Sequence, residues 1–267
     1  MSLQQSNTAA SPTPRPGRVP ATVDPKPWMA VVGVALLALG MLLGALGHNL
    51  DPATTGELGV LQWFHEHRNG FLTVLAKAIE LVMGPKVVPW LLVAMPLLLL
   101  ALRRIVMAVT SLLLPGLGWL PGHFAKGFFP RARPPHSLDP VVIYNDNASF
   151  PSGHTGFATS ITIFILFALT MWGVRRWWAV VLGVLFIVIV GLSRLYAAAH
   201  FPMDVLGGAV LASGTSIALW PLAAWWWGRG QAGGGRLAEP PYRHALTAGK
   251  GDSTAASERA IGADTTE

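Results

Sequence analysis

The residues best suited to chemistry lie in three short polar stretches that separate long apolar runs. The first stretch, residues 126–134, places Lys126, Arg131 and Arg133 within eight residues and includes Pro130 and Pro134. Because guanidinium groups match phosphate oxygens bidentately, this stiff segment predicts an anion-binding edge. Taken alone, it fits an anchor for lipid headgroups equally well.

The second stretch, Pro151-Ser152-Gly153-His154, opens an apolar run. A proline and a serine at this position are typical of a helix start, where unpaired N–H groups and the helix dipole attract anions. Gly153 would let a ligand approach the backbone closely. His154 is either an interfacial residue or, beside a bound phosphate, a general acid.

The third stretch runs from Ser193 and Arg194 to His200 and Asp204. Pro202 predicts a helix start, which puts Asp204 in the first turn and four residues after His200. A carboxylate at that spacing can hold the imidazole in one tautomer, so that its other nitrogen is free to attack. The alternative is an ordinary helix-start aspartate with a neighbouring histidine.

Together, the three stretches resemble the motifs K-x6-RP, PSGH and SR-x5-H-x3-D of the type 2 phosphatidic acid phosphatase (PAP2) superfamily, without departure. The resemblance implies that His200 attacks phosphorus, that Asp204 orients it, and that His154 protonates the leaving oxygen and later activates water. It also implies a reaction without a metal or other cofactor. The residues implied to hold the phosphate are Lys126, Arg133, Ser152, Gly153 and Arg194.

The apolar runs indicate the elements that must position these residues. The chain has 267 residues, of which 52% are hydrophobic and only 12% charged. A membrane helix needs roughly 20 apolar residues, and six runs approach that length. We therefore expect an all-α, polytopic protein with a six-span domain over 28–227 and disordered cytoplasmic tails over 1–27 and 228–267. Helical spacing over 58–64 and 71–82 predicts two amphipathic helices on the outer surface. The runs are 28–47, 87–102, 105–122, 153–171, 177–192 and 205–227.

Charge and cysteine content narrow the setting further. Four segments on one side of six spans hold most of the lysines and arginines, so the positive-inside rule predicts cytoplasmic termini and an extracytoplasmic site. The net charge of +6 fits a membrane protein better than a nucleic-acid partner, because the basic residues flank apolar runs. The chain has no cysteine, which excludes a cysteine nucleophile and a metal site with thiolate ligands.

The function predicted is a membrane lipid phosphate phosphatase that forms a phosphohistidine. The substrate is expected to be a polyprenyl diphosphate such as undecaprenyl diphosphate, or else phosphatidate or phosphatidylglycerophosphate. Arg131 is hypothesised to hold the second phosphate beside Arg133, with a headgroup contact as the alternative. A lipid phosphotransferase of the same fold is the alternative enzyme function. A binder or transporter is disfavoured because it would not need His154, His200 and Asp204, and six spans exclude a soluble haloperoxidase with these motifs.

Overall fold

The computed structural model describes residues 28–144, 146, 148–174 and 177–232, and the regular structure in these ranges is helical apart from one bridge between Arg131 and Ala148. A π-helical turn, Leu112–Gly116, joins two of the helices. The predicted tails lie outside the described residues, except that the last helix continues to Ala232. The helices are α1 Trp28–Asn49, α2 Glu57–Glu66, α3 Gly70–Met83, α4 Val88–Ala101, α5 Ile105–Ser111, α6 Leu117–Phe128, α7 Gly153–Met171, α8 Trp177–Tyr196 and α9 Pro202–Ala232.

Five elements in the described part of the chain are each long and apolar enough to cross a bilayer: α1, α5 continued by α6, α7, α8 and α9. A sixth span is complete only when α3 and α4 are counted together across a bend of 55°. The 14 residues of α4 reach about 21 Å, short of a hydrocarbon core of about 30 Å. The chain is therefore a multi-pass, all-α membrane protein, as predicted.

The two amphipathic helices expected between spans one and two are both present as helices. Residues 71–82 form α3, which by length and hydropathy counts towards a sixth span only together with α4, and α2 is the separate helix before it. Gly84 ends α3 where a Cβ atom would lie 2.3 Å from the carbonyl oxygen of Glu80. Because a larger residue would clash there, the glycine allows the chain to turn towards α4.

Helix α1 packs on α9 through small residues. The residues of α1 that are buried in the protein are all glycines. A Cβ atom at Gly33 would lie 2.6 Å from the Cβ of Ala218, and one at Gly214 would lie 2.8 Å from the backbone nitrogen of Leu37. Such close approach of two backbones gives membrane helices the packing contacts that lipid cannot supply.

The interior of the bundle is apolar at one end and polar at the other. Phe164, Phe167 and Met171 of α7 pack with Val106 and Trp227 in the apolar part. The buried polar side chains cluster at the opposite end of α7, where the α8–α9 connection and the loop after α6 also converge. They include Arg131, Ser149, Ser152, His154, Thr155, Arg194, His200 and Asp204.

Candidate active site

The start of α7 carries the second predicted stretch. Ser152 is the N-cap residue, as predicted, and its hydroxyl accepts from the backbone N–H of Thr155 at 3.4 Å and from its hydroxyl at 3.1 Å. The backbone N–H of Ser152 donates to the carbonyl of Asp204 at 2.9 Å. The indole of Trp119 on α6 donates to the carbonyl of Gly153 at 3.1 Å. These bonds fix the helix start that presents His154.

Helix α9 begins at Pro202, as predicted, so Asp204 lies in its first turn. The Asp204 carboxylate accepts from the Ser149 hydroxyl at 2.5 Å, from the backbone N–H of Phe201 at 2.8 Å and from Arg131 Nη1 at 2.6 Å. The Nδ1 atom of His200 lies 3.6 Å from Asp204 Oδ2. That distance exceeds a hydrogen bond, but catalytic contacts of this kind commonly tighten only once the substrate is bound.

The imidazole of His200 has its proton on the side of Asp204. Its Nε2 atom lies 3.3 Å from Arg133 Nη1, and a guanidinium can only donate, so Nε2 must be the acceptor and Nδ1 the protonated nitrogen. Burial lowers the pKa of His200 to about 4, although the neighbouring Asp204 partly offsets this. The imidazole is therefore neutral at ordinary pH, with a free electron pair on Nε2.

The loop between α6 and α7 supplies the cations nearest to that nitrogen. Arg133 binds both oxygens of Asp146, at 2.7 and 3.1 Å, and stacks over the ring of Tyr144 at 4.2 Å. The Arg133 contact lowers the pKa of Asp146, which keeps this partner ionised. Lys126, at the end of α6, donates to the carbonyl of Ala148 at 2.5 Å.

One cavity of about 250 Å³ brings the two histidines together with these cations. Its polar wall includes His154, His200, Lys126 and Arg133, together with the backbone of Gly153. The rest of the cavity wall is mainly apolar and comes from the bend between α3 and α4 and from α6. A phosphate between the histidines would thus have an apolar surface beside it for a hydrocarbon chain. The residues of that wall are Met83, Gly84, Pro85, Val88, Trp119 and His123.

Arg131 does not point into this cavity, which corrects the hypothesis that it holds a second phosphate beside Arg133. Its side chain is buried between two carboxylates, Asp204 and Glu57 of α2, and forms ion pairs with both. Glu57 in turn accepts from the backbone N–H of Met203 at 2.7 Å. Two buried carboxylates without a cation would be strongly unfavourable. This need for a counter-ion directs Arg131 away from Arg133, although in an extended segment the side chains of residues two apart project to the same side.

Arg194 of α8 is fully buried and its three nitrogens all have partners. Nη2 donates to the carbonyl of Ala76 at 3.0 Å, Nε donates to the hydroxyl of Ser193 at 3.1 Å, and Nη1 forms an ion pair with Glu80 of α3. Neither Arg194 nor Ser152 is among the residues that line the cavity. Their contacts with phosphate therefore stay predictions.

Sequence reasoning missed three partners of the predicted residues: Glu57, Glu80 and Ser149. The signal for the two glutamates was present, because acidic residues close to membrane spans are costly unless they are paired. Ser149 lies just before the PSGH motif and has no distinguishing pattern. In the described ranges no three His, Asp or Glu side chains are grouped to hold a metal ion. The loop carboxylates Asp139 and Asp146 pair with Arg68 and Arg133.

The arrangement of two imidazoles, a buried aspartate and basic side chains around one cavity agrees with comparisons to known proteins. A model of the PAP2 superfamily matches residues 96–228, which include all three motifs. These residues belong to the PAP2 superfamily. The PAP2 region begins within α4 and ends in α9, so α1, α2 and α3 lie before it.

Individual relatives of the PAP2 region match shorter stretches. The undecaprenyl-diphosphatase BcrC of Bacillus subtilis is 38% identical over 85 residues, which are 32% of this chain and 40% of BcrC. An undecaprenyl-diphosphatase of Sulfolobus acidocaldarius is 28% identical over 99 residues, which are 36% of this chain and 45% of that protein. The match thus spans less than half of each relative.

The fold of a solved protein covers more of the chain. The crystal structure of a transmembrane PAP2-type phosphatidylglycerolphosphate phosphatase from Bacillus subtilis superimposes with a TM-score of 0.60 and 22% sequence identity. The superposition covers 74% of this chain and 96% of the other. At that identity the similarity supports the fold alone.

Proposed function

We propose that this protein is a membrane lipid phosphate phosphatase that acts through a phosphohistidine on His200. The observation that carries the proposal is the single cavity that His154, His200, Lys126 and Arg133 share, with an apolar wall beside them. A phosphate placed there meets a nucleophile, a proton donor and two cations at once. Placing reacting groups in this way is the main means of catalysing phosphoryl transfer.

In the first step Nε2 of His200 attacks phosphorus, and the bond between phosphorus and the leaving lipid oxygen breaks. Asp204 stabilises the positive charge that develops on the imidazole, while Arg131, Ser149 and the Phe201 N–H hold Asp204 in place. His154 gives a proton to the leaving oxygen. Lys126 and Arg133, with the Gly153 backbone and, as implied by the motifs, Ser152 and Arg194, stabilise the phosphoryl oxygens.

In the second step water attacks the phosphohistidine. His154, now without its proton, accepts one from the water, and the bond between phosphorus and Nε2 breaks to release inorganic phosphate. The proton lost in the first step is thereby restored to His154, and the cycle closes without an external acid or base. The cations that face the cavity supply the charge stabilisation in both steps, so we propose that no metal is required.

For the substrate we favour a polyprenyl diphosphate. This rests on the names of the two undecaprenyl-diphosphatase relatives and no longer on Arg131. Phosphatidylglycerophosphate is the main alternative, because the structurally similar protein carries that name. We place the cavity on the extracytoplasmic face and both termini in the cytoplasm, because the positive-inside rule puts the Arg103 and Arg104 turn inside.

The direct test is phosphate release by the full-length protein, purified in detergent, from a panel of lipid phosphates. The panel contains farnesyl diphosphate, farnesyl phosphate, phosphatidate and phosphatidylglycerophosphate, and the control is the His200→Ala variant. We expect release that is abolished in the variant. Equal release by wild type and His200→Ala, or none by wild type on any of them, would overturn the proposal.

Product analysis separates hydrolysis from phosphoryl transfer. With oxygen-18 water as solvent, a hydrolase incorporates one labelled oxygen into each released phosphate. A phosphotransferase would instead yield unlabelled phosphoryl groups on an added alcohol or lipid acceptor. A pure binder or transporter would yield neither product, although it would retain the lipid.

A further inference from the structure

The second histidine of the cavity has a carboxylate partner of its own. Nε2 of His154 lies 3.0 Å from Oε2 of Glu80, and the same carboxylate forms an ion pair with Arg194. Glu80 lies on α3, before the PAP2 region, and nothing in the three motifs refers to it. Arg194 Nη1 also approaches His154 Nε2, but at 3.4 Å, and the same Nη1 is already paired with Glu80. Because a carboxylate only accepts, the shorter contact with Glu80 favours a proton on Nε2 and leaves Nδ1 as the nitrogen free for proton transfer.

We propose that Glu80 is a positioning residue that orients His154 for its work as acid and base, much as Asp204 orients His200. This inference rests on the proposed phosphatase function. Proton transfer through His154 puts a positive charge on its imidazole in one half of the cycle, and the carboxylate at 3.0 Å stabilises that charge. It also holds the ring so that Nδ1 faces the leaving oxygen.

The surroundings show that Glu80 is held firmly enough for this role. Its helix is fixed to α8 by the bond from Arg194 Nη2 to the carbonyl of Ala76, which is four residues earlier and so on the same face of α3. The other charged and titratable groups that face His154 are Arg194 of α8 and Arg133 and Tyr144 of the loop. Burial raises the pKa of Tyr144, and its hydrogen bond to Glu80 raises it further, so the phenol stays neutral.

The competing explanation is that Glu80 only neutralises Arg194, which is fully buried and needs a counter-ion. The two roles differ in how they depend on the leaving group. A poor leaving group such as an alkoxide needs the proton from His154, whereas a nitrophenolate leaves without one. If Glu80 serves only as a counter-ion for Arg194, its loss affects how the phosphoryl group is held. That group is identical in both kinds of substrate, so both should lose activity equally.

The experiment compares wild type, Glu80→Gln and Glu80→Asp on two single-chain phosphates of equal chain length, one alkyl and one nitrophenyl. The quantity measured is kcat/KM, which reports the step that breaks the bond to the leaving group. We expect Glu80→Gln to lose about 10- to 100-fold on the alkyl phosphate and less than about threefold on the nitrophenyl phosphate. Glu80→Asp, which keeps the charge but withdraws it by one methylene, should show a smaller loss with the same selectivity.

Glu66→Gln is the matched control, because Glu66 is an exposed glutamate on α2, and it should leave both values unchanged. Equal losses on the two substrates, no loss, or a gain in activity would overturn the positioning role. If Glu80→Gln does not fold, as judged by thermal unfolding in detergent, the selectivity of Glu80→Asp decides. Failure of this inference differs from failure of the phosphatase proposal, in which wild type itself releases no phosphate.

Discussion

Arg131 Nη1 lies 2.6 Å from Oδ1 of Asp204, with the arginine nearly buried and the aspartate completely so. The same guanidinium also binds Glu57, so α2, the loop after α6 and α9 meet at one ion-pair cluster beside the His200–Asp204 pair. We therefore expect Arg131 to influence the reaction through Asp204 rather than through the substrate. This gives its substitution a different signature from that of a phosphate ligand.

We expect Arg131→Ala to lower kcat/KM to the same extent on farnesyl diphosphate and on farnesyl phosphate. It should also lower the free energy of unfolding by about 3 to 5 kcal/mol, since it leaves buried carboxylates unpaired. The measurements are phosphate release and denaturation in detergent, with Lys77→Ala, an exposed lysine of α3, as the control. A loss confined to the diphosphate would restore Arg131 as a ligand of the second phosphate.

Substitution of the nucleophile should abolish activity without unfolding the protein. We expect His200→Ala to reduce phosphate release by at least about 10²- to 10⁴-fold, the range for loss of an essential acid–base group, and Asp204→Asn to reduce it strongly. His136→Ala, at an exposed position in the loop between α6 and α7, should have the activity of wild type. Trapping of labelled phosphate on wild type but not on His200→Ala, after an alkaline denaturing quench in which the phosphorus–nitrogen bond survives, would identify the intermediate.

The ionisation of His200 gives a pH prediction. Because its pKa in the folded protein is lowered to about 4, the imidazole should stay neutral from pH 7 down to about pH 5. In the unfolded chain the same imidazole takes up a proton near pH 6.5. Between pH 6.5 and 4 the unfolded chain therefore binds more protons than the folded protein, so the contribution of His200 to the free energy of unfolding should fall as the pH drops through this range. Nitrogen NMR of histidine-labelled protein, assigned with His200→Ala, measures this pKa directly. An imidazole already charged at pH 6 would contradict it.

Vanadate should inhibit the enzyme, and chelators should not. Vanadate bonded to His200 would take up the geometry of five-coordinate phosphorus, with Lys126 and Arg133 as its nearest cations. We therefore expect vanadate to inhibit wild type in competition with the lipid. We also expect His200→Ala to have lost the binding of vanadate, measured directly on the purified protein. Full activity in excess EDTA is expected because those cations already stabilise the anion. A requirement for added magnesium would be evidence against this mechanism.

The orientation in the membrane can be tested with single cysteines, since the chain has none. Cysteine at Ser137, exposed in the loop between α6 and α7, should react with an impermeant maleimide added to intact cells. Cysteine at Arg103, exposed in the turn between α4 and α5, should react only after permeabilisation. The opposite pattern would place the cavity on the cytoplasmic side and change which leaflet supplies the substrate.

The sequence alone determined the class of fold and which residues are candidates for catalysis. Long apolar runs specify membrane helices because backbone polar groups must be satisfied internally in lipid, and local signals such as Ser152 and Pro202 gave the starts of α7 and α9. The three motifs predicted His154, His200 and Asp204. His200 and Asp204 are only four residues apart, at the connection between α8 and α9, so their pairing is a local feature. These features depend on contacts within a few residues, which a sequence displays.

Only the tertiary structure decided the partners of those residues. Glu57, Glu80 and Ser149 meet Arg131, His154 and Asp204 across separations of 40 residues or more, and such contacts depend on how the helices pack. Arg131 and Arg133, two residues apart, serve different sites because buried carboxylates compete for one of them. The 55° bend between α3 and α4 is likewise visible only in the tertiary structure, where Glu80 of α3 contacts His154 and Arg194.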